Sequence, residues 1–287
     1  MIKRELQVPI LKCIFVSDLH GNTKKIEKLI QTMKKEKPDM MFIGGDLLPN
    51  SYGKNIEKYV EKNILLELKK LKDITKIFLI LGNDDPRIFE ELFIQADKDK
   101  IIKYAHNKTI KVNDFFVTGY SYVPPTPFQL KDWEKYDVSR YVDVGAVSPE
   151  QGFRTIKINE DEKRYSTISE DLKNLSKNSP PDKTIYLFHS PPYDSYLDLA
   201  DLHGKKIDYV PVDVHVGSIA IQRFIKNKKP FLTLHGHVHE SARLSGKWMQ
   251  KFGNTYSFSA AHDGPELAIV RFDTDDLSLA NRELVKI

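Results

Sequence analysis

Five short polar groups recur along the chain, each at the end of an apolar run. They are Asp18 with His20, Asp46 after Gly44 and Gly45, Asn83 and Asp84 after Gly82, His189 after Phe188, and His237 with His239 after Gly236. Carboxylates, imidazoles and a carboxamide are hard-to-borderline donors suited to divalent transition metals. On an extended chain residues i and i+2 point to the same side, so Asp18 and His20, and likewise His237 and His239, can each aim two donors at one place. The neighbouring glycines let the backbone turn sharply and approach an ion with no Cβ in the way. One carboxylate such as Asp46 can set its two oxygens on two ions, and two ions about 3.5 to 4 Å apart can hold a hydroxide between them for in-line attack on phosphorus. The chemistry on offer is metal-assisted phosphoester hydrolysis. Ser17, Ser190 and Cys13 lie near these groups, but none has the paired base and orienting group that covalent catalysis needs.

Such groups must be carried on elements that bring them together. Residues 11–16 are short, apolar and β-branched, 17–22 turn polar, and Ile26, Leu29, Ile30 and Met33 then recur at helical spacing up to Pro38. The same alternation continues with a strand over 40–43, a helix through Ile56, Val60, Ile64, Leu68 and Leu71, and a strand over 77–81. Strands of this kind without side polarity, alternating with helices, predict a parallel sheet covered on both faces, an α/β architecture. In such sheets functional residues gather at the carboxyl ends of strands, where every polar group above falls. The stretch 121–182 is richer in Pro, Tyr and charge and is expected to be an insertion or cap on a single domain spanning 1–287. Regular structure returns with a strand over 184–188, a helix through Ile221, Phe224 and Ile225, a strand over 231–234 and short strands from 255 to 285.

Taken in order, DLHGN, GGDLL, GND, FHSPP and LHGHVH resemble the five signature blocks of the calcineurin-like metallophosphoesterase family, over residues 13 to about 240. The resemblance implies a β-sandwich flanked by helices on both faces, four layers in all. It also implies a ligand set of Asp18, His20, Asp46 and His239 on one ion and Asp46, Asn83, His189 and His237 on the other, with Asp46 bridging. Where the family commonly has GNH, this chain has Asp84. An unperturbed Asp has a pKa of about 3.9, nearby cations push it lower, and its charge repels an anionic phosphate, so Asp84 is a poor proton donor at neutral pH. Relatives lacking that His resemble phosphodiesterases or weak hydrolases more than strong monoesterases. The catalytic candidates are therefore Asn83 and Asp84, in a phosphodiesterase that uses a hydroxide bridging Mn²⁺ or Fe²⁺ ions, with Zn²⁺, Co²⁺ and Ni²⁺ as alternatives. A small phosphate ester or phosphodiester is the expected substrate; a metal-dependent nuclease and a non-catalytic scaffold of the same fold are the rival readings.

Plainer roles compete at several positions. Asp18, Asn22 and Asp85 could cap helices, and for Asp85, followed by Pro86, capping is the expected role. Arg87 could clamp phosphate or pair on a surface helix, and His235 is expected to pack or to orient a ligand. His106, His203, His215 and His262 are isolated, although His203 and His215 could supply the proton that Asp84 cannot. Lysine clusters at Lys34, Lys35 and Lys37, at Lys69, Lys70 and Lys72, and at Lys226, Lys228 and Lys229 suit helix carboxyl ends. Residues 120–133, aromatic and proline-rich, read equally as a substrate wall or a packed loop.

Composition sets the remaining bounds. The 287 residues are 40% apolar and 29% charged, ordinary for a folded protein. Forty-four basic against 40 acidic residues leave +4, too little to imply nucleic-acid binding by charge alone. A single cysteine, Cys13, excludes an intrachain disulfide and a thiolate metal cluster. Lys3 and Arg4 open an apolar stretch that Lys12 interrupts, so no signal peptide is read. No apolar run approaches the ~20 residues of a membrane helix. The expected location is the cytoplasm.

Overall fold

Side chains in the apolar runs alternate between two different cores. In the structure, a computed structural model describing residues 10–49 and 55–287, β1 (Lys12–Val16), β2 (Met40–Gly44) and β3 (Lys76–Ile80) pair in parallel, with Cys13 opposite Met40 and Met40 opposite Lys76. Ile14, Val16, Met41, Ile43, Ile77 and Leu79 enter one core with the inner face of α1 (Thr23–Glu36), while Phe15, Phe42, Phe78 and Ile80 enter another. Lys3 and Arg4, on which the leader reading rested, lie outside the described residues.

The second core is closed by another sheet. After α2 (Ile56–Tyr59), a π-helical turn over Val60–Leu65 and α3 (Leu66–Lys69), the chain passes through β3 to α4 (Glu90–Lys98), β4 (Lys103–Tyr104), β5 (Thr109–Val112) and β6 (Phe115–Tyr120). Beyond the irregular stretch that follows come α5 (Glu160–Tyr165), α6 (Ile168–Leu175), β7 (Thr184–Phe188), a hairpin of β8 (Lys206–Ile207) and β9 (Val210–Pro211), and α7 (Ile219–Lys228). The chain ends with β10 (Leu232–His235), α8 (Ser241–Ser245), β11 (Met249–Phe252), β12 (Thr255–Ser259), β13 (Leu267–Asp273) and β14 (Asn281–Val285). The strands form two six-stranded sheets, ordered β14-β13-β1-β2-β3-β4 and β11-β12-β10-β7-β6-β5. Ile185, Leu187, Leu232, Leu234 and Phe258 of the second sheet meet the phenylalanines of the first. Its outer face, with Tyr186 and Phe188, lies under Phe224 of α7.

The sheet predicted from periodicity is covered on both faces, but its purely parallel pairing is corrected: β13 and β14 add antiparallel strands beside β1, and β5 and β11 edge the second sheet in antiparallel pairing. Each sheet has helices on one face and the other sheet on its second. A strand buried on both faces reads as a continuous apolar run whichever layer covers it. The four-layer sandwich implied by the signature blocks is the arrangement present.

Three details bear on the site. Asn22 Oδ1 accepts from the amides of Lys24 and Lys25, both at 3.1 Å, so Asn22, not Asp18, caps α1. Within 121–182, Trp133 is fully buried and donates from Nε1 to the carbonyl of Asp85 at 2.7 Å, while Ile168, Leu172 and Leu175 of α6 join the main core. No described helix is long and apolar enough to cross a membrane.

Candidate metal centre

All five polar groups fall in loops after strands, at the carboxyl ends of β1, β2, β3, β7 and β10, and both sheets deliver them to one place. Asp18, His20, Asp46 and His239 offer donor atoms within 4.8 Å of one another, as do Asp46, His189 and His237, and Asp46 belongs to both groups. Asn83 stands between the two, its Oδ1 3.0 Å from His189 Nε2. A Cβ at Gly82 would collide with Asp46 Oδ1, and one at Gly236 would collide with Ser17 Oγ, which is why glycine occupies both positions. Asp18, His20, Asp46 and His237 take positive φ values of 58°, 44°, 49° and 73°. Non-glycine residues adopt that region sparingly, and such strain concentrates at functional sites.

The donor set asks for cations. His189 Nδ1 donates to the carbonyl of Gly44 at 2.7 Å, so a neutral imidazole there turns the lone pair of Nε2 toward Asp46 Oδ2 at 3.3 Å and Asn83 Oδ1 at 3.0 Å. Those are three acceptors facing one another. His20 Nε2 and His239 Nε2 stand 3.0 Å apart, with Asp18 Oδ1 3.4 Å from His239 and Asp46 Oδ2 4.0 Å from His20. Asp18 Oδ2 is buried with no hydrogen-bond partner. A buried acceptor without a donor is costly, and divalent ions held by these residues would satisfy both groups.

Protons answer the same demand in the chain itself. Burial alone would lower His189, but Asp46 beside it pushes its pKa up to about 10; His239, half-buried, is raised to about 9 by Asp18. Burial works upward on Asp46, yet His189 and His20 hold it well below the usual carboxylate range. His237 is pushed down to about 3 by burial and by His189, which keeps its ring neutral and its lone pair available. Asp84 departs from the sequence expectation. Burial first and Asp46 second push it up to about 6, whereas the expected lowering came from cations.

Residues 11–241 match the family model for calcineurin-like phosphoesterases. The chain belongs to that family. Among solved structures, the phosphoesterase is similar to TT1561 of Thermus thermophilus, with a TM-score of 0.60, 15% identity, and coverage of 97% of this chain and 100% of that one. It is also similar to a dimetal phosphatase from Danio rerio, with a TM-score of 0.55, 9% identity and the same coverage. At these identities the likeness is one of fold. No curated protein sequence matches the chain.

Asp85 is no helix cap. The helical turn after it starts from Pro86 with no side-chain cap, and the fully buried Asp85 carboxylate accepts from the amides of Leu47 at 3.1 Å, Leu48 at 2.7 Å and Gly82 at 2.9 Å. It therefore ties the loop carrying Asp46 to the loop carrying Asn83, a role invisible in the sequence because two of its partners are 37 and 38 residues away. Burial, then Asp46, push its pKa up to about 7 against those three amides. Asp85→Ala strands three buried donors and frees both loops. Metal affinity is expected to fall about 10- to 100-fold, as for other groups that orient ligands, together with a lower Tm. Titration of the variant with Mn²⁺ checks this, and unchanged affinity would remove Asp85 from the machinery.

Arg87 pairs with Glu90 at 3.0 Å, but as a half-buried group, donating also to Tyr122 Oη at 3.0 Å and lying 5.0 Å over the Trp133 ring, and not as the surface pair expected. His235 is fully buried, with Nδ1 2.9 Å from the carbonyl of Ser190, the residue after His189. His215 is held by Asp198 at 2.8 Å, and neither it nor His203 belongs to the ligand groups. Sequence reasoning passed over Lys25, which reaches from the first turn of α1 to the carbonyl of Gly264 at 3.3 Å, in the loop after β12. Burial lowers its pKa, and the fields of Asp18 and Glu266 oppose that shift.

Proposed function

We propose that this phosphoesterase is a phosphodiesterase working with two divalent ions, one among Asp18, His20, Asp46 and His239 and one among Asp46, Asn83, His189 and His237. The observation carrying the reading is the sharing of Asp46 by two clusters of metal-donor atoms, beside which Asp18 Oδ2 is buried with no hydrogen-bond partner. Bound there, the ions would acidify water and draw charge from the phosphoryl oxygens. Imidazole and carboxylate donors together favour Mn²⁺ or Fe²⁺, with Zn²⁺, Co²⁺ and Ni²⁺ as alternatives. Asp85 and the Gly44 carbonyl fix the orientation of the loops and of His189 before substrate arrives. We read 1–287 as one domain with 121–182 as its cap, and the cytoplasm as its location.

Asp84 carries the preference for diesters. Its amide donates to Asp46 Oδ1 at 2.9 Å, its Oδ1 accepts from Asn83 Nδ2 at 2.8 Å, and its Oδ2 lies 3.8 Å from His20 Nδ1. A carboxylate in that position opposes a dianionic monoester more than a monoanionic diester, and divalent ions bound beside it would lower its pKa and leave it a poor proton donor to an alkoxide. With the Mn²⁺-loaded enzyme, bis-nitrophenyl phosphate should therefore be turned over faster than nitrophenyl phosphate; the opposite order would end the diesterase reading.

Asp84→His tests the cause. The substitution removes a charge and places a group of pKa about 6.5 beside the centre. Turnover of alkyl monoesters should rise by about 10- to 100-fold, within the range of general acid catalysis. Nitrophenyl diesters, whose leaving oxygen needs no proton, should change little. Equal changes for both substrates, with metals still bound, would show that Asp84 does not set the preference.

A further inference from the structure

The helices return the chain from the metal centre to the opposite pole, where the strands begin. Lys72 follows α3 and precedes β3, Lys76 opens β3, Lys100 follows α4, Lys103 opens β4, and Lys111 lies near the end of β5, which runs antiparallel to β6. All five are exposed and line one groove of about 190 Å³ between the edges of the two sheets. Partly buried Ile101 and Ile110 contribute to its floor. Asp97 lies 3.6 Å from Lys103 and 3.6 Å from Lys108. Among the described residues, no carboxylate forms an ion pair with Lys72, Lys76, Lys100 or Lys111.

Two ordinary explanations cover parts of this. Cations complement helix carboxyl ends, which suits Lys72 and Lys100, and lysines on edge strands discourage unwanted pairing, which suits Lys103 and Lys111. Neither explains why all five surround one apolar-floored cavity. Nucleic acid fits it poorly, because no arginine lines the groove and its one aromatic, Phe78, is fully buried, leaving no ring for a base to stack on. Lysines act as point charges, and four to eight of them clustered on a surface suit anionic lipid headgroups.

The geometry points to this groove as a docking surface for an anionic phospholipid membrane, with headgroup phosphates on the lysines and the glycerol region against Ile101 and Ile110. Docking at this pole leaves the metal centre facing away from the bilayer and open to substrate.

The test is co-sedimentation of the full chain with phosphatidylcholine vesicles, with and without phosphatidylglycerol. Binding should require phosphatidylglycerol and weaken with salt. Each lysine is worth about fivefold. Lys76→Glu with Lys111→Glu should therefore weaken binding by more than about 20-fold, and the milder Lys76→Gln with Lys111→Gln should weaken it by about that factor. Lys226→Glu with Lys228→Glu, the same charge change at the end of α7, should leave binding within about twofold, since those side chains lie outside the groove. Unchanged thermal melting of each variant shows that the fold is kept. The inference is overturned if phosphatidylglycerol vesicles are not bound, if the α7 pair weakens binding as much as the groove pair, or if single-stranded RNA binds more tightly at the same ionic strength and displaces the vesicles.

Discussion

Asp46→Asn is expected to lower turnover about 10³-fold, the several kcal/mol that metal-ion charge stabilisation supplies. The substitution keeps the shape of the side chain. Its carbonyl oxygen can still accept from the amide of Asp84, a bond of 2.9 Å in the protein. What changes is the other atom. Asp46 Oδ2 lies 3.3 Å from His189 Nε2 and 4.0 Å from His20 Nε2, the two imidazoles that bracket the shared position. An amide NH₂ there is a donor aimed where a cation belongs, and the negative charge common to both groups is gone. Metal analysis should show loss from both sites, with His189→Ala as the contrasting variant that empties mainly one. Full occupancy of two ions in Asp46→Asn, with turnover near that of the parent, would contradict the bridging role.

The parts of this site legible in the sequence were those fixed locally. Asp18 and His20 sit two residues apart, as do His237 and His239, and each pair follows an apolar run, so type, spacing and strand end pointed to one place. That these loops converge depends on both sheets sharing an end, which the order of the blocks implied through family likeness and periodicity could not. The second sheet was hidden for a physical reason: in β1, Ile14 meets helix side chains and Phe15 meets the other sheet, yet both are simply apolar residues.

The helix after β2 was legible in outline but not in its winding. Ile56, Val60, Ile64 and Leu68 are buried at a constant spacing of four. Four residues over-rotate an α-helix by about 40°, so such a stripe drifts off the core unless the helix widens. The π-helical turn over Val60–Leu65 corrects the drift. Asp85 was misread for the opposite reason. Its local context, an acid before Pro86, favours a cap, but three amides from the loops that carry Asp46 and Asn83 compete for the same carboxylate and win.

Exhaustive chelation is expected to abolish hydrolysis, and Mn²⁺ to restore it, because no side chain in the site has a base placed to make it a nucleophile. The stripped protein should also acquire a pH response of its own. Without ions, the acceptors of the site are reconciled by protons, with His189 raised to about 10 by Asp46 and His239 to about 9 by Asp18, against an ordinary value of 6.5. A group whose pKa is raised by folding contributes stability that is fully present below its unfolded value and disappears as pH climbs through the folded one. The stripped chain should therefore lose stability, on the order of a few kcal/mol, as pH rises from about 7 to about 10, with a fall of several degrees in Tm. With Mn²⁺ bound, the same imidazoles are ligands and carry no proton to lose at those atoms, so this loss should vanish. Melting curves of stripped and loaded protein across that range decide the matter. Parallel pH dependence in the two forms would mean that protons and metals do not compete for Asp18 and Asp46, and activity persisting at negligible metal content would remove the ions from the mechanism altogether.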